Sequence, residues 1–271
     1  MERGRRQGSG SVPDAFGPTS PGGYAPPPMT HIVVYGPAIA PYTEKVVRGL
    51  GLKKLSFELE EPQSDEDYKR WSPETGLLPV AEIDGRRIAD STQILLALDE
   101  RFPEPPLLSR DPSVAARQRR LEDWADESFF WYWGQWRRMR EEQAAYAARS
   151  AAYRFSWLQP RTWFESLREP VGAPAPDPGR ERFLLSELDR RMDDLVGWLA
   201  TRSFFYSEEP SMADLAVYAM LLRIRGGTFG GAQDLLADRP SLVAFMGRIE
   251  EATGGSPTSP PAGGPPATPL G

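Results

Sequence analysis

The sequence predicts an α/β unit followed by an all-helical one. Short apolar or alternating runs, the mark of strands, occur only before residue 90. From Val114 onward the apolar residues recur at helical spacing. Between the two patterns, Pro103, Pro105, Pro106 and Pro112 mark a linker. Strands and helices segregated in this way imply two domains or layers of different class.

The ordered part is expected to begin at Met29. Ile32-Val33-Val34-Tyr35 reads as a buried strand, ended by Gly36-Pro37. Pro41 suits the first position of a helix that carries Tyr42, the stem of Lys45, Val46, Val47 and Leu50, with Gly51 as its stop. Leu55 to Leu59 alternates with period two and reads as a second strand, parallel to the first in a βαβ unit. A short helix is expected around Asp65–Trp71. Val80 to Ile83 and Arg86 to Ile88 form a hairpin about Asp84-Gly85, since a primed turn needs positive φ at both central residues. Asp90 or Ser91 then caps a helix through Ile94, Leu95 and Leu98 to about Arg101.

In the second half, the spacing predicts a long helix from Val114 to about Ala148 and a further segment to about Leu158. Residues 159–179 hold five prolines and read as loop. Further helices are expected over Arg182–Leu199, Ser211–Arg225 and Ser241–Ala252. Ser211 with Asp214 three residues later is a capping motif, so its expected role is structural.

Composition narrows the functional classes. Of 271 residues, 40% are hydrophobic, and the ends lower that figure. Residues 1–28 and 253–271 are rich in Gly, Pro and Ser and are expected to be disordered, because they cannot bury enough apolar surface. Cysteine is absent and His31 is the one histidine, which excludes disulfides, a thiolate nucleophile, a Ser-His-Asp triad and multi-histidine metal sites. A net charge of -6 gives no global signal for nucleic acid. The basic start, Met1 to Arg6, has no apolar run behind it, and no run approaches the ~20 residues of a membrane span. A cytoplasmic protein with no metal, no nucleic-acid partner and no membrane partner is the expectation.

With these elements in place, the chain resembles the cytosolic glutathione S-transferase superfamily. Leu78-Pro79 looks like the family's cis-proline dipeptide, Asp90-Ser91 like its acidic-Ser pair, and Ser211-Met212-Ala213-Asp214 like the capping box of its central C-terminal helix. The resemblance implies a thioredoxin-like N-terminal domain over 29–107 and a helical bundle C-terminal domain over 113–252. It implies glutathione as co-substrate, a small apolar electrophile as second substrate, a role in detoxification and a homodimer. Leu78 and Pro79 would meet the cysteinyl part of glutathione, and Asp90 and Ser91 its γ-glutamyl group. The chemistry is compatible: an extended tripeptide can pair with free backbone groups, and a carboxylate suits a helix start. An ordinary trans proline opening a strand and plain capping at Asp90-Ser91 are the structural alternatives.

The chain departs from the family where the sulfur should react. Aligning Lys45-Val46 with the family's basic-Val pair puts Ala40 at the Ser/Cys position. Alanine has no hydroxyl or thiol and caps helices poorly. Tyr35, Tyr42 and Thr43 are the candidate catalytic residues, each with a packing or capping role as its alternative. Backbone N–H groups at Ala40–Tyr42 are a fourth route to a stabilised thiolate. The aromatic run Trp124, Phe129, Phe130, Trp131, Tyr132, Trp133 and Trp136 covers more than one helix face, so some rings could line a substrate cleft. Arg137, Arg138 and Arg140 read as a solvated face. Two classes follow: a glutathione-dependent transferase, or a non-catalytic module of the same fold.

Overall fold

The structure, a computed structural model, describes residues 30–156, 177–227 and 230–254. The expectations for residues 1–28, for the tail beyond Gly254 and for most of the 159–179 loop lie outside the described residues. From His31 the order is β1 (Ile32–Tyr35), α1 (Pro41–Leu52), β2 (Glu58–Glu60), α2 (Asp65–Trp71), β3 (Val80–Ile83), β4 (Arg86–Ala89) and α3 (Ser91–Arg101). Helices α4 (Pro112–Ser156), α5 (Pro178–Leu199), α6 (Met212–Arg225), α7 (Ala232–Ala237) and α8 (Pro240–Ala252) follow.

The sheet has the order β2-β1-β3-β4, with β1 and β2 parallel and the other pairs antiparallel. Alternation along β1 sends Ile32 and Val34 into the main core with Val46, Leu50, Ile94 and Leu98. Val33 and Tyr35 go to the other face, with Trp71 of α2 and Val80. The hairpin turns at Asp84 (φ 48°) and Gly85 (φ 81°), as the Asp-Gly pair requires. A thioredoxin-like α/β unit therefore leads into an all-helical one.

Helix α6 is apolar on almost every side and lies in the core between α1 and α4. Its start is the capping motif expected there. The buried Asp214 carboxylate accepts from the Ser211 N–H (2.8 Å), the Ser211 hydroxyl (2.6 Å) and the Phe205 N–H (2.7 Å). The linker is pinned by Lys53, whose ammonium donates to Asp99 Oδ1 and to the carbonyls of Phe102 and Pro105.

Three expectations are corrected, and one short helix was not foreseen. Gly51 does not stop α1, which runs on to Leu52; a Cβ on Gly51 would lie 2.5 Å from the Thr253 carbonyl oxygen, so the residue permits close approach. Strand β2 starts at Glu58 rather than Leu55, because the Leu55 N–H turns back to the Leu50 carbonyl (3.0 Å). The pattern read as a helix to Ala148 and a separate segment is continuous helix to Ser156. The six-residue α7 lies in a stretch too short and Gly-flanked to show a helical period.

Candidate functional site

The residues singled out in the first half meet at three backbone features: the turn before β3, the start of α3 and the start of α1. The Leu78-Pro79 bond is cis. Pro79 is buried and borders Gly36, where a Cβ would lie 2.5 Å from the Thr43 hydroxyl oxygen, so the glycine makes room for Thr43. Leu78 packs half-buried against the Val33, Tyr35, Trp71 and Val80 cluster. Among the described residues its N–H has no hydrogen-bond partner.

Asp90 is the N-cap of α3, and its carboxylate accepts from the Gln93 N–H at 3.0 Å. Its backbone has φ 74° and ψ 127°, a conformation that costs an L-residue energy and is commonest where a site imposes it. Ser91 follows as the first helical residue and is buried, in the first turn, where N–H groups lack intrahelical acceptors. An exposed carboxylate and a helix start stand side by side, suited to an ammonium and a carboxylate respectively.

The start of α1 is built differently. Ala40 is its N-cap and supplies no side-chain bond, and Pro41 has no N–H to offer. The preceding loop is held by other residues. The Ala38 N–H donates to Glu61 Oε2 (2.9 Å), the Ala40 N–H to the Pro37 carbonyl (2.9 Å), and Arg223 Nη1 to the Ile39 carbonyl (2.6 Å).

None of the three hydroxyl candidates stands free in solvent at this start. Tyr35 is on the sheet face of Trp71, with ring centroids 4.9 Å apart and the Arg87 guanidinium over its ring. Burial, helped by Glu82 and Glu60, raises its pKa. The Tyr42 hydroxyl donates to the Asp126 carbonyl at 3.0 Å, and burial with the nearby Asp126 and Asp90 carboxylates pushes its pKa well up. Thr43 is fully buried, with an oxygen that has no hydrogen-bond partner and sits where a Cβ on Gly36 would intrude.

Lys45 adds a feature that the sequence reading missed by counting only its stem. Its side chain is 1% exposed, and its ammonium meets Glu122, itself 2% exposed, together with Asp126 Oδ2 (2.8 Å) and Thr92 Oγ1 (3.1 Å). A cation on α1 thus ties the first turn of α3 to α4. Burial raises the Asp126 carboxyl to about 6, against the opposing pull of Lys45 and with help from Glu122 and Asp90.

Large apolar residues are exposed in the loop before α1, in the turn before β3 and on α4. Ile39 and Leu77 are each 71% exposed, and Trp131 on α4 is 48% exposed. Tyr132 and Trp136 turn into the core, and Trp124 packs edge-on against Trp198. The side chains of Phe129, Phe130 and Trp133 lie outside the described set. Arg137, Arg138 and Arg140 are exposed, as expected of a solvated face. Among the described residues no cluster of His, Asp and Glu has the form of a metal site, and no helix is long and apolar enough to cross a membrane.

This combination of sheet order, Pro79 turn and α3 start coincides with a family match. A model of the glutathione S-transferase N-terminal domain matches residues 34–106, which include all of these features. Residues 34–106 therefore carry a glutathione S-transferase N-terminal domain. Glutathione S-transferase Z1 of Arabidopsis thaliana is 44% identical over 69 residues, which are 23% of this chain and 30% of that protein's length. FzlA from C. crescentus shares the fold with a TM-score of 0.56 at 22% identity, over 88% of this chain and 96% of its own. The beta-etherase LigF of Sphingobium sp. does so with a TM-score of 0.58 at 20% identity, over 81% and 94%. At these identities the structural likenesses speak to the fold, which carries proteins of more than one activity.

Proposed function

We propose that the whole chain is a glutathione S-transferase superfamily member that binds glutathione and transfers it to small apolar electrophiles. The observation that carries the reading is the start of α3. There a strained Asp90 presents a carboxylate beside the buried Ser91 and the helix N-terminus, within one hairpin of the Leu78 N–H, which is unpaired among the described residues. An ammonium and a carboxylate on one carbon, as in a γ-glutamyl group, match Asp90 and the helix start. The extended remainder of the tripeptide matches the backbone at Leu78 and Pro79. Its sulfur would then lie toward Ala40. The electrophile would meet the apolar surface at Ile39, Leu77 and Trp131. A cytoplasmic homodimer with a detoxifying role completes the proposal.

Ala40 favours a second reading, in which the same surface binds glutathione or a partner without chemistry. Two measurements decide. Full-length protein should be retained on immobilised glutathione, and Ser91→Ala should lose at least tenfold in affinity at an unchanged melting temperature. Conjugation of an aryl halide above the uncatalysed rate favours the enzyme, and retention without turnover favours the binding module. No retention at all would sink the glutathione reading.

A further inference from the structure

Arg223 holds a position on α6 that the proposed function does not use. It lies in Leu221-Leu222-Arg223-Ile224, an otherwise apolar stretch of the core helix α6. Its guanidinium reaches across to α1 and donates through Nη1 to the carbonyl of Ile39, the residue before Ala40. Its Nε is buried and has no hydrogen-bond partner among the described residues. Glu44 is the carboxylate that acts on it, and only through space. Glu44, on the first turn of α1, is engaged by Arg48, with Oε1 2.8 Å from Arg48 Nε. Arg48 in turn lies over the ring of Tyr218. Among the described residues Arg223 therefore has no carboxylate of its own at ion-pair distance, and its charge is turned to the loop before α1.

Compare Arg225, one turn face away on the same helix end. Both are cations in the last turn and both complement the helix dipole. Arg225 is exposed and pairs with Glu250 at 2.5 Å. Arg223 faces no such acid: of the acidic groups near it, Glu44 is felt only at a distance, and the Tyr218 phenol is kept protonated by burial. Arg223 is only partly buried, so burial costs its charge less than it would in the core, and among the described residues no carboxylate holds that charge in place. An N–H donor left empty and buried at a candidate site points the same way.

We infer that Arg223 is a positioning residue for the reaction, holding the Pro37–Ala40 loop and supplying at the start of α1 the positive charge that stabilises a thiolate where residue 40 has no hydroxyl. This rests on the glutathione reading above. The charge acts on the sulfur through space, and the Ile39 bond fixes the distance over which it acts. No bond is made or broken by Arg223 itself. It shifts the equilibrium between bound thiol and bound thiolate plus a proton released to solvent.

The test uses the full chain. Glutathione affinity is measured by calorimetry, and the ionisation of the bound thiol is followed by thiolate absorbance across pH. In the unsubstituted protein the bound thiol should titrate below free glutathione. Arg223→Gln should raise that pKa by about one, roughly a tenfold loss of thiolate at neutral pH, with the dissociation constant changed less than threefold. Arg223→Lys keeps the charge and should keep most of the lowering. Arg225→Gln removes a charge from the same turn and should leave the thiol unchanged, which separates a site effect from a loss of net charge. No heat of binding in the unsubstituted protein would overturn the glutathione reading and this inference with it. Binding with a thiol pKa equal to that of free glutathione, or unchanged by Arg223→Gln, would overturn the role of Arg223 and leave glutathione binding standing. Should Arg223→Gln fail to fold, the comparison of bound with free thiol in the unsubstituted protein and in Arg223→Lys still decides.

Discussion

Two helix starts in this protein, those of α3 and α1, are assembled in opposite ways. The start of α3 is made from its own neighbourhood in the chain: Asp90 caps Gln93, three residues on. The start of α1 has no side chain of its own to offer, since Ala40 is followed by Pro41. What shapes it comes from afar, with Arg223 meeting Ile39 across 184 residues and Glu61 meeting Ala38 across 23. A recognition surface can be written locally, because capping is a short-range hydrogen bond. An electrostatic environment for a reacting atom can be supplied by any element that folds back onto it, and then no local motif records it.

The largest way to disturb this contrast is to cut the tie between α3 and α4. Lys45→Met leaves Glu122 buried without its cation, and the expected loss is about 3–5 kcal/mol of stability by chemical denaturation. A loss below about 1 kcal/mol would mean that the α3 start does not depend on α4. Next in size is a pH effect. Asp126 titrates near 6 in the folded protein, above its ordinary 3.8, with Lys45, Glu122, Asp90 and Tyr42 around it. A raised carboxyl pKa contributes stability that is full below about 4 and is lost as pH rises through about 6. The unsubstituted protein should therefore lose about 1–3 kcal/mol relative to Asp126→Asn between acidic and neutral pH. A difference that stays constant with pH would place the Asp126 titration elsewhere. The smallest effect gives α1 the cap that α3 already has. Ala40 has φ -75° and ψ 133°, an N-cap conformation, so Ala40→Ser should gain about 0.5–1 kcal/mol in unfolding experiments. A loss instead would show that the loop held by Arg223 leaves no room for a hydroxyl.

Much of the α/β unit was legible. The hairpin at Asp84-Gly85, the buried strand at Ile32–Tyr35, the helix from Ser91 and the capping motif at Ser211 follow from turn chemistry, run length and caps. Part of the candidate site was legible for the same reason: Leu78-Pro79 and Asp90-Ser91 are dipeptides with local signatures. The three hydroxyl candidates were less so. Tyr35 and Thr43 are one position in a strand and one in a helix, and which face each turns depends on the partner that covers it. Thr43 went under Gly36, and Tyr35 went against Trp71. Arg223 did leave a trace, as a charge inside an apolar helix, but the trace does not say where the charge points. Lys45 left the same trace, and its acids sit 77 and 81 residues away.

By itself the sequence determined the kinds and order of the elements, the absence of any thiol, and the lack of a hydroxyl at residue 40. Those properties are settled within a turn or a strand, where backbone geometry and neighbouring side chains decide. Only the tertiary structure decided that Lys45 would be a buried tie rather than a solvated stem, and that Arg223 would stand at the start of α1. Both outcomes come from docking α4 and α6 onto α1, which brings charges together in a desolvated place where a few ångströms of distance set their strength.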